Sequence, residues 1–245
     1  MPWGKNHDET GLPYLPNHLP LNPIIKNLME AERKAEILFQ AIEDRQLVKP
    51  GKTEHQLNQE VFDLADEILG IKKFWHKRIV RAGKNTLLPY HDNPPDHTLQ
   101  DDDILFFDFG PIFEDWEADL GKTYVIGNDA RKHKLKRDVE LSWFEGKAYY
   151  QEHKNELTGA EFYQYTAELA KKYGWDYGNI HCGHLIGKFP HEKIVGEDEI
   201  NYIHPNNHKK MSAPDQNGNE RFWIYEIHLI DRKQEIGGFF EQLLS

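Results

Sequence analysis

The chain has 245 residues, 38% hydrophobic and 29% charged, with 41 acidic against 30 basic side chains and a net charge of −11. That length suits one sizeable domain or two small ones, and the acidic balance argues against nucleic acid or an anionic membrane surface as partner. A single cysteine, Cys182, excludes an internal disulfide and a cysteine-rich metal centre. No apolar run approaches the ~18 residues needed to span a bilayer. The start of the chain lacks a basic region followed by an apolar one, so it does not read as a secretory signal. The expectation is a cytoplasmic protein with no membrane and no nucleic acid among its partners.

Residues 1–23, rich in Pro, Asn and Gly, read as an irregular N-terminal arm, and residues 24–245 as a single domain. The arm ends at Asn22-Pro23, a side-chain cap followed by proline in a first helical turn. Ile24, Leu28, Ala31, Ala35, Leu38 and Ile42 give the helix that follows one apolar face. A second helix opens at Thr53 with Gln56 three residues on, a capping box, and runs to Gly70. Strands are expected over residues 78–82, 104–109 and 118–126. After Asn128 a third helix carries Leu135, Val139, Trp143 and Phe144. A fourth opens with the capping box of Thr158 and Glu161 and ends at Gly174. Leu64-Ala65 and Leu169-Ala170 fall at the same offset from the two threonine caps. That offset hints at internal duplication, although two ordinary capped helices would read the same. Residues 199–220 form a long polar loop before a last hairpin.

The chemistry lies in the strands. Asp108 interrupts the apolar run Ile104-Leu105-Phe106-Phe107-Asp108-Phe109, and an unpaired carboxylate there would be penalised by several kcal/mol. A hairpin loop centred between Phe113 and Glu114 would set Asp108 directly opposite Asp119, on one face and ~4.5–5.5 Å apart at Cβ. In the last hairpin, a loop centred between Lys233 and Gln234 would set Glu226 opposite Glu241. Acids that close repel unless a proton or a cation lies between them, and the recurrence in two hairpins favours a metal. His184 and His191, in "GHLIGKFPHE", complete the set. Four carboxylates and an imidazole suit two divalent ions, Mn favoured with Co, Fe or Zn as alternatives, better than one structural Zn. Such a pair points to hydrolysis.

The order Asp108, Asp119, GH-x-IG with His191 seven residues beyond His184, then Glu226 and Glu241, resembles the methionine aminopeptidase, prolidase and creatinase superfamily. "AGKNTLLPYH" and "PGKTEHQL" extend the likeness over roughly residues 24–245. The resemblance implies a pseudo-symmetric α+β "pita-bread" fold. It also implies Asp108 on one metal, Asp119 and Glu241 bridging, and His184 and Glu226 on the other metal, with Glu226 near the nucleophilic water. His191 would steady the substrate carbonyl, and His91 would approximate the substrate-loop histidine, although Tyr90 stands where histidine is usual. Leu185, in place of a glycine, would add bulk to the pocket, and Ile227-His228 stands where the family often has proline and glycine.

The function so implied is a dinuclear metallopeptidase that cleaves an amide bond near the N-terminus of a small peptide or peptide-like substrate. An Xaa-Pro dipeptide is the first choice, with a homodimer left open. Two alternatives stand beside it: a hydrolase of the same fold acting on a non-peptide amide or C–N bond, and a binding module without turnover. His228 shares the strand face of Glu226 and reads either as a ligand or a group supporting the ligands, or as a hydrogen-bonded core histidine. His76, His97, His133, His204 and His208 read as solvated, and Asp101-Asp102-Asp103 as a solvated turn. "GKT" occurs at 51–53 and 121–123, but Gln46 and Trp116 occupy the places where a phosphate loop needs glycine.

Overall fold

The computed structural model of the chain describes residues 22–191 and 198–245, so most of the expected N-terminal arm lies outside the described residues. Two helices come first, α1 (Pro23–Asp44) and α2 (Glu54–Leu69). Strands β1 (Ile79–Ala82), β2 (Asp103–Phe109), β3 (Ile112–Phe113), β4 (Trp116–Glu117) and β5 (Leu120–Ile126) follow. The second half repeats the pattern with α3 (Ala130–His153), α4 (Gly159–Tyr173), β6 (Asp176–Tyr177), β7 (Gly183–Ile186), β8 (Phe222–Asp231) and β9 (Ile236–Leu243). Among the described residues no helix is long and apolar enough to cross a membrane.

The helix ends follow the local chemistry. Asn22 accepts from the Ile24 N–H, and both threonine caps form complete capping boxes, Thr53 with Gln56 and Thr158 with Glu161. Gly70 and Gly174 close α2 and α4 at φ of 66° and 83°, a conformation open to glycine at little cost. Two apolar assignments shift. Ile25 rather than Ile24 begins the buried face of α1, and Phe144 is exposed while Trp143 is buried. Consecutive helical residues point about 100° apart, and Phe144 falls beyond the edge of the buried stripe of Leu135, Val139 and Trp143.

The sheet runs β1-β2-β5-β9-β8-β6, with β7 also pairing β8, and every pairing is antiparallel. The halves α1-α2-β1-β2-β5 and α3-α4-β7-β8-β9 have the same order and meet at the β5–β9 pair, so the duplication hinted at by the capping boxes is present in the topology. Strand alternation separates the two faces of the sheet. Leu105, Phe107 and Phe109 of β2 pack with α1 and α2, while Tyr225, Ile227 and Leu229 of β8 and Phe240 of β9 pack with α3 and α4. The opposite face presents Phe106, Asp108, Glu226, His228, Phe239 and Glu241 to a cavity.

One register differs from the expectation. Asp108 lies opposite Gly121, not Asp119, because the turn is centred on Glu114-Asp115, with Phe113 paired to Trp116 and Glu114 at φ 60°. The shift is two residues along the strand, so Asp119 keeps the same face; a one-residue slip would have turned it into the core. The polar loop of residues 199–220 is not loose throughout, since Ile200, Ile203, Asn207 and Met211 are buried.

Gly146 of α3 passes directly against Tyr225, where an added Cβ would lie 2.1 Å from Oη and 2.5 Å from a ring carbon. Tyr225 cannot retreat easily, because its hydroxyl is bonded to Thr166 Oγ1 at 2.9 Å in the core. Gly146→Ala should therefore lower unfolding stability by ~1–3 kcal/mol, the scale of overpacking. At an exposed helical glycine the same change gains about 1 kcal/mol. Urea denaturation of the variant decides the sign.

Candidate metal centre

One transverse row crosses the cavity face of the sheet. Ile79 of β1 pairs Asp108, Asp108 pairs Gly121, Gly121 pairs Glu241, and Glu241 pairs Glu226. The last pairing is the one expected. Gly121 leaves the middle of the row open: a Cβ there would come within 2.5 Å of the Phe239 ring and 3.0 Å of Glu241 Cβ. Asp119 lies two residues before Gly121 on the same face. His184 of β7 pairs Ile224, two residues from Glu226, and its Nε2 stands 3.2 Å from Asp119 Oδ2 and 3.6 Å from Glu241 Oε1. All five expected ligands thus line one cavity of about 370 Å³.

The electrostatics of the row are strained without a cation. Burial, with Asp119, Asp108 and Glu226 beside it, pushes the Glu241 carboxyl well above its ordinary range. Burial likewise raises Asp108 to about 7. At Asp119 burial acts upward too, but His76 and His184 overcome it and hold the carboxyl at about 2. The same contacts reverse the effect of burial on His76 and His184 and lift each imidazole to about 9. Glu241 Oε2 is buried and has no hydrogen-bond partner among the described residues. Two sets of ligand atoms, one from His76, Asp108 and Asp119 and one from Asp119, His184 and Glu241, each lie within 4.8 Å of one another. An orphaned carboxylate oxygen amid buried oxygen and nitrogen donors fits divalent cations.

Around the row, His191 is held by a residue that sequence reasoning missed. Glu117, buried at the end of β4, accepts from His191 Nδ1 at 2.7 Å and from its backbone N–H at 3.2 Å. Its signal was available, because Glu117 interrupts the run Trp116-Glu117-Ala118 as Asp108 interrupts its own. Asn179 Nδ2 donates to Glu226 Oε1 at 2.9 Å, and His181 Nδ1 lies 2.8 Å from the same oxygen but out of line for a hydrogen bond. His91 lines the cavity at an exposed position, with Tyr90 the nearest ring at 6.3 Å between centroids. His228 is buried in the cavity wall and donates from Nε2 to the Thr86 carbonyl at 2.7 Å.

Three readings are corrected. His76 is not solvated; it sits against Asp119 and Asp108. Leu185 does not narrow the pocket, because His184 faces the cavity and the next residue on the strand turns into the core. Asp103 is buried rather than solvated and pairs with His97 at 2.8 Å, away from the site. Tyr90 does line the cavity, as do Asn201 and Tyr202 from the polar loop.

Glu241→Gln tests the balance between stability and metal binding. A carboxyl whose folded pKa lies above its unfolded value favours folding less as pH rises past the unfolded value. The metal-free Gln variant should therefore melt higher than metal-free wild type at pH 8, with the gap closing toward pH 4.5, while binding less metal. Thermal melts across pH with metal analysis check both; a less stable variant at pH 8 would refute the strain.

An Xaa-Pro dipeptidase of Lactobacillus helveticus is 27% identical over 169 residues, 69% of this chain and 45% of that protein. The chain spans about half the length of the curated relatives it matches. Among solved structures, a prolidase from Thermococcus sibiricus superposes with a TM-score of 0.68 at 20% identity, over 89% of this chain and 54% of that one. A methionine aminopeptidase from Thermotoga maritima superposes with a TM-score of 0.65 at 15% identity, over 91% and 92%. These likenesses establish the pita-bread α+β fold. The sequence model of metallopeptidase family M24 matches residues 26–216, most of the chain, and the protein belongs to that family.

Proposed function

We propose that the protein is a dinuclear metal-dependent peptidase acting on Xaa-Pro dipeptides or comparably short peptides. The observation that carries this reading is the row of Asp108, Glu241 and Glu226 with Asp119 and His184 closing on it. Asp108 would hold one ion, His184 and Glu226 the other, and Asp119 and Glu241 would be shared. Mn is the favoured metal. When bound, such ions supply Lewis acidity and a water of lowered pKa at neutral pH. Glu226 would accept the proton of the attacking water. His191, its Nδ1 engaged by Glu117, keeps Nε2 to meet the carbonyl oxygen as charge develops there. Trp75, Tyr90, Phe106, Tyr202 and Phe239 line the cavity and would limit the water around the reacting bond. Four clustered acids would serve no purpose in a binding module without metal, which favours turnover. Acidic composition and a single buried free cysteine support the cytoplasm as compartment.

Arg81 supports the short substrate. It lines the same cavity and is buried, yet among the described residues its side chain makes one hydrogen bond, from Nη2 to the Asp92 carbonyl at 2.7 Å, and its buried Nε has no partner. A guanidinium carries five donors. Arg81 lies two residues from Ile79, the partner of Asp108, or roughly 7 Å along the strand from the row. That offset suits the free carboxylate of a dipeptide whose scissile bond lies at the row.

A panel of Xaa-Pro, Met-Xaa and general dipeptides with Mn, Co and Zn each supplied tests the reading. Xaa-Pro with Mn should be cleaved best, and activity on no peptide would abandon it for a non-peptide amide. A charge-assisted hydrogen bond contributes about 1.5–3 kcal/mol. Arg81→Ala, or amidation of the dipeptide, should therefore raise KM roughly ten- to a hundredfold. His191→Ala should lower kcat ~10²-fold with metal content unchanged, the scale of a lost oxyanion donor; equal metal loss in His191→Ala and His184→Ala would refute their separate roles.

A further inference from the structure

The cavity holds an imidazole outside the five expected ligands. His76 lies between α2 and β1, edge-on to Trp75 at 4.4 Å and to Tyr90 at 5.8 Å between ring centroids. The ring passes over Gly110, where a Cβ would meet His76 Cδ2 at 2.3 Å. Trp75 is itself fixed, its backbone N–H donating to the Gly110 carbonyl at 2.9 Å and its Nε1 to the Ala118 carbonyl at 3.0 Å. The packing therefore sets the ring in one place.

That place mirrors His184. His76 Nε2 lies 3.1 Å from Asp119 Oδ1 and 3.5 Å from Asp108 Oδ1; His184 Nε2 lies 3.2 Å from Asp119 Oδ2 and 3.6 Å from Glu241 Oε1. Each oxygen of Asp119 thus faces one imidazole. Donors that share an ion at bonds of ~2.1 Å and tetrahedral or octahedral angles are separated by about 3.0–3.5 Å. The far nitrogens match as well. His76 Nδ1 meets the carbonyl of Lys77 at 2.8 Å, and His184 Nδ1 meets the carbonyl of Leu185 at 2.9 Å. When a cation takes the place of the Nε2 proton, a ring that keeps its Nδ1–H on a backbone carbonyl offers the lone pair of Nε2, the tautomer in which histidine binds metal.

We propose that His76 is a metal ligand, the imidazole of the ion held by Asp108, as His184 is for the ion held by Glu226. This rests on the dinuclear reading but not on any peptide substrate. Each ion would then have one nitrogen donor, with Asp119 between them. The rival role is a hydrogen bond that merely orients Asp119, and the two roles part on direct contact with metal.

The test uses the full chain loaded with Co(II) and reads metal content after dialysis together with paramagnetically shifted proton spectra. Wild type should retain two Co(II) per chain and show two exchangeable, strongly shifted imidazole N–H resonances, one from each histidine. His76→Ala should lose one of the resonances and bind one of its two ions at least tenfold more weakly, with added imidazole restoring the ion. His76→Phe, which keeps a ring against Trp75 and Tyr90, should show the same loss and guards against an unfolded variant. Two resonances and unchanged affinities in both variants would overturn the proposal, as would a wild type that binds no Co(II). Peptide cleavage is not read, so a protein that binds both ions through His76 and His184 yet cuts no Xaa-Pro bond would refute the substrate and leave this assignment standing.

Discussion

Burial of Asp119, Glu226 and Glu241 beside Asp108 sets the terms for the rest of the structure. Two unit charges about 5 Å apart at an effective dielectric near 20 repel by roughly 3 kcal/mol. Several such pairs rival the ~5–15 kcal/mol by which a typical domain is stable. The acids are tolerable because protons or cations neutralise them, and because a large core lies on the other side of the sheet. Trp143, Trp223, Tyr225, Phe107, Phe109 and Phe162 are all fully buried there. A fully buried large apolar side chain contributes about 1.5–3 kcal/mol, so the helix-covered face can support a cavity face that is costly on its own.

The duplicated topology brings the acids together. Each half delivers a helix pair and an antiparallel hairpin, and joining β5 to β9 places the two hairpins side by side. Gly121 sits at that seam, where a side chain would fill the space between Asp108 and Glu241. The histidines arrive from outside the central strands: His184 from β7, His191 from the segment after it, His76 from the approach to β1. Each is held from behind, His191 by Glu117 and the other two by backbone carbonyls. The supports engage one nitrogen of each ring and leave the other for the contacts proposed with metal or substrate.

Much of this was legible in the sequence, and the failures have physical causes. Acids embedded in apolar strands announced themselves, and the Glu226–Glu241 pairing followed from a short turn. The Asp108–Asp119 pairing did not, because the excursion through β3 and β4 moved the turn centre, although the even shift preserved the face. Leu185 was misread as a pocket residue when alternation from His184 already placed it in the core. His76 was hidden: Lys72-Lys73 before it and Lys77-Arg78 after it mark a solvated segment, and only packing against Trp75, Gly110 and Tyr90 buries it. The boundaries of α2 and α4 were plain because both carry capping boxes at one end and left-handed glycines at the other.

The central claim is that the carboxylate row exists to hold two ions, and a crystal of the protein grown with Mn and measured for anomalous scattering tests it most directly. The account predicts two peaks on the cavity face about 3.5–4 Å apart, the spacing of two-metal hydrolytic sites, with Asp119 and Glu241 touching both. Full occupancy by a single ion, or Mn bound elsewhere with Glu241 Oε2 still unpartnered, would contradict it.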